Sequence, residues 1–314
     1  MSKFILKRVL GMLAVMFMVL TIVFVIVRVA PGDPAAVMLG PDATADDIAA
    51  LRHELGLDRS ILVQYVRFIG QVATGDFGNS IFLHQSALLS IAQRAEPTLL
   101  LTAFSLLIAT LIALPLGMAS AYWRGSWFDQ LATTLSMLAA STPSFWLGLL
   151  LIQYLAVHHG WFPVSGYGGV GATFLERARH LLLPSIALGT ACSAIITRFS
   201  RASLLDVLDE DYVRTARSKG MGEVRVVVVH ALKNAMVPIL TVIGLTATLL
   251  VSGAVVIETV FDLPGVGSLV VSAVLRRDYP VIQAALVVIS GAYVLINFGI
   301  DMLYTVVDPR VRIR

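Results

Sequence analysis

The sequence contains few charged residues and almost no cysteine. Of its 314 residues, 14% are charged and 57% are hydrophobic, whereas an ordinary soluble protein has about 25% charged and roughly 45–50% apolar residues. This composition indicates a chain whose surroundings are mostly lipid. Cys192 is the single cysteine, which excludes a disulfide framework within the chain and a metal site built from several cysteines.

Motifs that bind nucleotide or catalytic metal are also missing. The sequence has no Gly-x-x-x-x-Gly-Lys-[Ser/Thr] phosphate-binding loop and no His-Glu-x-x-His motif. We therefore expect that the chain binds no cofactor, does not hydrolyse ATP by itself and is not an enzyme. His158 and His159 are adjacent, so they do not share a helix face. They would be candidate ligands only for a metal that is itself the substrate, and we expect no resident metal site.

Six long apolar segments predict six membrane-spanning helices. Their lengths are near or above the ~20 residues that cross a ~30 Å hydrocarbon core. The segments are continuously apolar rather than alternating, which favours helices over a β-barrel. The predicted fold class is therefore an all-α integral membrane protein. The segments are Val9–Val27, Leu99–Tyr122, Leu131–Val157, Leu181–Thr197, Val237–Ile257 and Val281–Val307.

The first apolar segment follows basic residues, as the apolar part of a signal peptide does. Val9–Val27 is longer than the usual hydrophobic region of about 7–15 residues, and no clear small-x-small cleavage site follows it. We therefore interpret it as a retained first transmembrane helix.

Lysine and arginine residues are concentrated in alternate connections between the six segments. Cytoplasmic loops carry an excess of these residues, so both termini are predicted to be cytoplasmic. The residues assigned to the cytoplasmic side are Lys3, Lys7, Arg8, Arg124, Arg198, Arg201, Arg214, Arg217, Lys219, Arg225, Lys233, Arg310, Arg312 and Arg314.

The chain divides by composition into two regions. Residues 1–97 hold the first span and a long extracytoplasmic helical segment, in which Thr44 and Asp47 have the spacing of a capping box. Gly56 and Gly75 each follow an amphipathic stretch, as helix-ending glycines do. These helices are expected to pack on the outer face of the bundle, or else to contact an external partner. Residues 98–314 form a five-helix core that includes a charged cytoplasmic segment, 198–235.

The charged segment contains the pattern of a short amphipathic helix. Arg217 and Lys219 follow a group of acidic residues, an order that suits the two ends of a helix dipole, and Gly220 suits a helix end. Val213 and Ala216 supply a small apolar face. We interpret this helix as an element that a soluble partner binds and moves. The acidic residues are Asp206, Asp209, Glu210 and Asp211.

Residues 212–220, Tyr-Val-Arg-Thr-Ala-Arg-Ser-Lys-Gly, resemble the coupling segment of binding-protein-dependent ABC importer permeases. In that family, a loop that begins Glu-Ala-Ala, with a glycine four residues after the second alanine, docks on the ATPase subunit. Arg214 replaces the family's glutamate, and Leu232-Lys233 replaces a Leu-Pro pair. Both differences are typical of the dipeptide, oligopeptide and nickel branch. The resemblance predicts these ATPase-coupling residues: Tyr212, Val213, Arg214, Thr215, Ala216, Arg217, Ser218, Lys219 and Gly220.

Further short motifs resemble the same branch and occur in its order along the whole chain. They also suggest candidate contacts near the ends of the fifth and sixth spans, for substrate or a delivery protein at the outer mouth. These candidates are Glu258, Asp262, Arg276, Arg277 and Asp278; the alternative is a structural turn with satisfied charges. The motifs are Pro31–Pro34, Gly75–Gly78, Pro264–Gly267, Arg276–Val281 and Asp308–Arg310.

The resemblance implies a type I ABC importer permease-like bundle in the bacterial cytoplasmic (inner) membrane. It implies that the chain moves peptides by alternating access. The expected partners are a second permease subunit in a heterodimer, two ATP-binding subunits, an extracytoplasmic substrate-binding protein and membrane lipid; no nucleic acid is expected. Nickel or another small solute remains an alternative substrate. A secondary transporter and a membrane scaffold are alternatives of another class, and neither would need an ATPase-docking segment.

Overall fold

The computed structural model describes residues 2–29, 34–40, 43–169 and 171–307. The all-α fold class is confirmed. Most of motif Pro31–Pro34, all of Asp308–Arg310 and the last arginines lie outside the described residues, as do the side chains of Lys3 and Lys7. The helices are α1 (Ser2–Val29), α2 (Pro34–Leu39), α3 (Ala45–Leu55), α4 (Ile61–Thr74), α5 (Ala87–Tyr122), α6 (Trp127–Ser141), α7 (Ser144–Leu151), α8 (Phe174–Leu208), α9 (Asp211–Ser218), α10 (Glu223–Arg225), α11 (Leu232–Val260), α12 (Val266–Arg276) and α13 (Tyr279–Val307); π-helical turns Ile152–His158 and Val226–Ala231 continue α7 and α10.

Five helical segments in the described chain are long and apolar enough to cross a membrane, and a bent pair supplies a sixth candidate. The pair is Trp127–Ser141 and Ser144–His158, which meet at 96°. The predicted span over Leu131–Val157 therefore consists of two helices that meet at a sharp bend. Pro143 lies at the break and immediately precedes α7. The helix is interrupted there because proline has no N–H to donate and its ring disfavours a helical conformation of the preceding residue.

Several spans extend beyond their apolar sequences. Helix α8 continues to Leu208 rather than ending near Thr197, and one helical path runs from Glu223 to Val260. The charged segment between Arg198 and Lys233 was predicted to contain one short helix, and it is helical over most of its length. Hydropathy marks only the part of a helix that is apolar, so it could not locate these ends.

The predicted capping box at the start of α3 is confirmed. The Asp47 N–H donates to the Thr44 hydroxyl at 3.2 Å, and the Thr44 N–H donates to the Asp47 carboxylate at 3.3 Å. The Thr44 hydroxyl also donates to that carboxylate and holds its pKa below the usual range. Gly56 and Gly75 end α3 and α4 in the left-handed conformation, with φ of 68° and 74°.

The chain forms two compact units. The first comprises Met1–Glu96 and Leu269–Leu295, and the second comprises Pro97–Ser268 and Ile296–Arg314. In the first unit, Phe24 of α1 packs edge-on against Tyr65 of α4, with ring centroids 5.2 Å apart, and both contribute to a cluster with Val287 of α13. The division at residues 97 and 98, made from composition, stays a prediction.

In the second unit, α5 and α8 approach closely where each has a glycine. A Cβ atom on Gly117 of α5 would lie 2.9 Å from the Thr197 carbonyl oxygen, and one on Gly189 of α8 would lie 2.7 Å from the Ser105 carbonyl oxygen. Small residues allow such close helix packing in membrane proteins. A larger apolar cluster, including Leu183 of α8 and Leu250 of α11, extends this contact to α11.

A buried ion pair joins α6 to α8. Arg201 donates to Asp129 through two nitrogens, Nε to Oδ1 and Nη2 to Oδ2, each at 2.7 Å. The Ser120 hydroxyl of α5 and the Gly125 N–H also donate to the Asp129 carboxylate. Asp129 is 4% exposed, so these four donors replace the water that a carboxylate would otherwise bind.

We predict that Asp129→Asn lowers the free energy of unfolding in detergent micelles by about 3 kcal/mol, because Arg201 is left without its counter-charge. The double variant Asp129→Asn/Arg201→Gln should recover part of that loss. Asp209→Asn is the matched control, since the Arg124–Asp209 pair is exposed with its charged atoms 3.7 Å apart, and it should cost less than about 1 kcal/mol. Equal effects of Asp129→Asn and Asp209→Asn would contradict this interpretation.

Candidate functional site

Helix α9 begins one residue before the predicted coupling segment and ends close to the predicted position. It has Asp211 in its first turn and Arg217 in its last turn. The Gly220 N–H donates to the Arg217 carbonyl at 2.9 Å, and Gly220 has a φ of 76°, which favours glycine. Asp206 belongs to α8 and Asp209 directly follows it, so only Glu210 and Asp211 stand at the start of α9.

The two apolar residues of α9 attach it to the long helices on either side. Val213 is fully buried and Ala216 is 6% exposed. They pack in one cluster with Leu204 and Leu208 near the end of α8. The same cluster contains residues of the helical segment that follows α9, namely Val226, Val227, Ala231, Ala235 and Ile239.

Polar contacts attach both ends of α9 to that following segment. The Arg217 guanidinium donates to the Glu223 carboxylate through Nε at 2.9 Å and Nη2 at 3.3 Å. The Asn234 amide donates to the Tyr212 hydroxyl at 2.7 Å. With the buried Val213 and Ala216, these bonds attach α9 to α10 and to the start of α11 at several points along its length.

The remaining surface of α9 is exposed and mainly basic. Arg214 is exposed, and its guanidinium lies 3.7 Å from the Asp211 carboxylate. The predicted coupling residues other than Val213 and Ala216 are all exposed. Helix α9 therefore presents a polar, mainly basic face on an apolar base.

Sequence analysis missed an apolar surface close to α9. Val224, Val228 and Val229 are exposed and line an open groove with Glu223 and Arg225. The run of four valines from Val226 to Val229, inside an otherwise charged segment, was the available signal. Two of these valines are buried in the α9 cluster and the other two are exposed, because a helix turns successive residues to different faces.

Glu258, one of the predicted outer-mouth contacts, is fully buried instead. The Thr98 hydroxyl donates to its Oε1 at 2.5 Å, and the Ser268 N–H donates to its Oε2 at 2.8 Å. The carboxylate therefore binds the first turn of α12, where helix N–H groups lack partners within the helix. A Cβ atom on Gly265 would lie 2.2 Å from the Glu258 carboxyl carbon, which explains the glycine in the Pro264–Gly267 turn.

The other predicted outer-mouth contacts have mixed exposure. Asp262, Arg276 and Arg277 are exposed, and Asp262 and Arg277 have positive φ values of 50° and 57°. Asp278 is 3% exposed and accepts a hydrogen bond from the Ser80 hydroxyl at 2.5 Å. Burial thus argues against surface contacts for Glu258 and Asp278, while a contact role for the three exposed residues stays a prediction.

Among the described residues, no group of three or more His, Cys, Asp or Glu side chains is placed to hold a metal ion. His159 lies near His158, with ring centroids 4.9 Å apart, and its Nδ1 lies 2.6 Å from the Tyr154 carbonyl oxygen.

Comparison with known families assigns the chain to a class. Residues 113–313 match the family described as binding-protein-dependent transport system inner membrane component, and residues 1–89 match the corresponding N-terminal family. The chain belongs to this family, and it is a permease subunit of an ABC importer and a multi-pass inner-membrane protein.

Curated relatives match over nearly the full length. A probable peptide ABC transporter permease of Sinorhizobium fredii is 43% identical over 312 residues, which cover 99% of this chain and 100% of the relative. A glutathione transport system permease of Salmonella typhimurium is 43% identical over 312 residues, which cover 99% of each chain. The corresponding permease of Escherichia coli K12 is 42% identical over the same length and shares.

A solved structure supports the fold. A chain of the MetNI methionine ABC transporter, in an inward-facing conformation, superposes with a TM-score of 0.59 and 18% identity. The match covers 70% of this chain and 97% of that chain. The type I importer bundle expected from the sequence is therefore confirmed as the fold.

We predict that Gly265→Ala loosens the first turn of α12, because the added methyl group displaces the Glu258 carboxylate from the Ser268 N–H. Hydrogen exchange at the Val266–Ser268 amides should accelerate by roughly tenfold or more, since a hydrogen bond to a charged group is lost. Gly169→Ala is the matched control, because a Cβ atom there meets nothing within 4 Å. Unchanged exchange in Gly265→Ala would rule out the proposed contact.

Proposed function

We propose that this permease subunit translocates short peptides across the cytoplasmic membrane, driven by ATP hydrolysis on separate partner subunits. We infer the substrate class from the 43% identity, over nearly the whole chain, to permeases named for peptide and glutathione transport. Glutathione is itself a tripeptide derivative, so both names indicate the same ligand chemistry.

Helix α9 is proposed to be the docking site for an ATP-binding subunit. Its exposed face carries Arg214, Arg217 and Lys219, which suit a partner surface with acidic residues. The exposed Val224, Val228 and Val229 would supply the apolar part of the same interface. A force on α9 would pass to α8 and α11, because the buried Val213 and Ala216 and the Arg217–Glu223 pair connect these elements.

The distribution of basic residues supports the proposed orientation, with both termini and α9 on the cytoplasmic side. On this arrangement, residues 43–86 and the turn Pro264–Gly267 are extracytoplasmic. The exposed Asp262, Arg276 and Arg277 are then candidate contacts for a substrate-binding protein that delivers the peptide.

The proposed mechanism is alternating access between two permease subunits, which we expect to be a heterodimer. ATP binds the partner ATPases, and their closure biases the permeases toward one of two conformations. The chain itself supplies no nucleotide site in this scheme. Its role is to line half of the pathway and to transmit movement from α9 to the membrane helices.

We predict that Gly220→Val reduces peptide uptake by roughly tenfold or more while membrane insertion is retained, because a β-branched residue is strained at a φ of 76°. The measurement is uptake of radiolabelled trialanine by proteoliposomes that contain the complete importer and its binding protein. Gly169→Val serves as the control, since that position has open space and no positive φ.

Two results would contradict different parts of this proposal. Normal trialanine uptake by Gly220→Val would contradict the role of α9 in coupling. Uptake of Ni²⁺ but not of trialanine by the unmodified importer would contradict the peptide substrate.

A further inference from the structure

A small cavity lies within the first compact unit, beside α12 and the start of α13. Its volume is about 150 Å³, and Phe82, Leu269 and Val281 form much of its apolar wall. Pockets for drug-sized ligands measure roughly 300–1,000 Å³, so this cavity fits only a small molecule. Three charged residues, Arg94, Arg276 and Asp278, also line it.

Asp278 lines this cavity, and one of its carboxylate oxygens is unpaired within the described part of the chain. Its Oδ2 accepts the bond from Ser80, but its Oδ1 is buried and has no hydrogen-bond partner among the described residues. Leaving a charged acceptor buried without a donor is costly. A ligand with an N–H or ammonium group would supply the missing donor.

The backbone next to Asp278 has an uncommon conformation, and hydrogen bonds hold it there. Arg277 has a φ of 57°, which is uncommon for a residue with a side chain and occurs preferentially at ligand sites. The Asp278 N–H donates to the Ala273 carbonyl at 2.8 Å, and the Asp278 carbonyl accepts from the Ile282 N–H at 3.0 Å. The backbone of Asp278 is therefore held by α12 on one side and α13 on the other.

Arginine side chains place positive charge at the same cavity. Arg94 of α5 is half-buried, and its guanidinium makes no ion pair or hydrogen bond with any residue in the described part of the chain. Arg276 lies over the Phe82 ring, with its guanidinium carbon 5.6 Å from the centroid. The residues that line the cavity thus include a carboxylate with an unsatisfied oxygen and an arginine without a counter-charge, as far as the described chain extends.

We propose that this cavity binds a small zwitterion, either a short peptide with both ends free or a free amino acid. The ligand's ammonium group donates to Asp278 Oδ1, and its carboxylate accepts from the Arg94 guanidinium, an interaction that arginine geometry favours. The inference rests on the proposed peptide import and deepens it. It gives this chain its own means of selecting unblocked substrates, in addition to any selection by a binding protein.

The test is calorimetric titration of the full importer complex in nanodiscs, without the binding protein, using dialanine as the probe. Asp278→Asn and Arg94→Gln should each weaken dialanine binding by roughly tenfold or more, because each removes a charge-assisted hydrogen bond. Asp46→Asn and Arg59→Gln make the same charge changes at exposed positions that do not line the cavity, and they should leave the affinity unchanged.

Blocked ligands separate a binding role from a structural one. N-acetyl-dialanine lacks the ammonium group, so it should bind the unmodified complex more weakly, and Asp278→Asn should weaken it no further. Dialanine amide should show the same relation to Arg94→Gln. A variant that merely disturbed the fold would weaken all ligands by the same factor, and that result would overturn the proposal.

Further comparisons identify which zwitterion the cavity binds, and they distinguish failure of this inference from failure of the proposed function. Dialanine binding more tightly than alanine would assign the cavity to peptides, and the reverse would assign it to free amino acids. Equal binding of dialanine and N-acetyl-dialanine by the unmodified complex would overturn the inference, as would the absence of measurable dialanine binding. Trialanine uptake by the same importer, measured in parallel, tests the proposed function separately, since uptake without charge-selective binding defeats only the inference.

Discussion

The burial of Val213 and Ala216 is the contact on which the functional interpretation depends. Helix α9 has eight residues, and an isolated helix of that length is not stable in water. It exists because these two side chains complete an apolar cluster formed by the end of α8 and the start of the next helical path. A short helix held in this way moves with its neighbours rather than independently of them.

The helices that hold α9 are in turn fixed by buried charges. Arg201 lies in the last third of α8, where a charged residue in a membrane protein needs a partner, and Asp129 of α6 supplies it. The helical path from Glu223 to Val260 has 38 residues, so it is roughly 57 Å long at 1.5 Å per residue. One end contacts α9 through Glu223, and the other holds the first turn of α12 through Glu258. The π-helical turn Val226–Ala231 lies close to α9 on this path, and such turns often occur at functional sites.

The sequence predicted those features that depend on residues close together in the chain. Apolar runs located the spans, the Thr44–Asp47 spacing located a helix start, and charge order with Gly220 located α9. Features that depend on distant residues were not predictable. Asp129 and Arg201 are 72 residues apart, and Ser80 and Asp278 are 198 apart, so neither pair has a local signal. Arg201 and Asp278 were consequently interpreted as surface charges, although both belong to buried polar contacts. Pro143 was visible in the sequence, but proline is tolerated in many membrane helices, as Pro184 is within α8.

Site-specific photo-cross-linking tests the central claim that α9 docks the ATPase. A photoreactive residue at Ser218 of α9 is compared with one at Leu175, which is exposed at the other end of α8, roughly 50 Å along the helix from Leu208. In the assembled importer, the account predicts that the ATP-binding subunit cross-links at Ser218 and not at Leu175. Cross-linking of that subunit at Leu175, or its absence at Ser218, would contradict both the docking role of α9 and the proposed orientation.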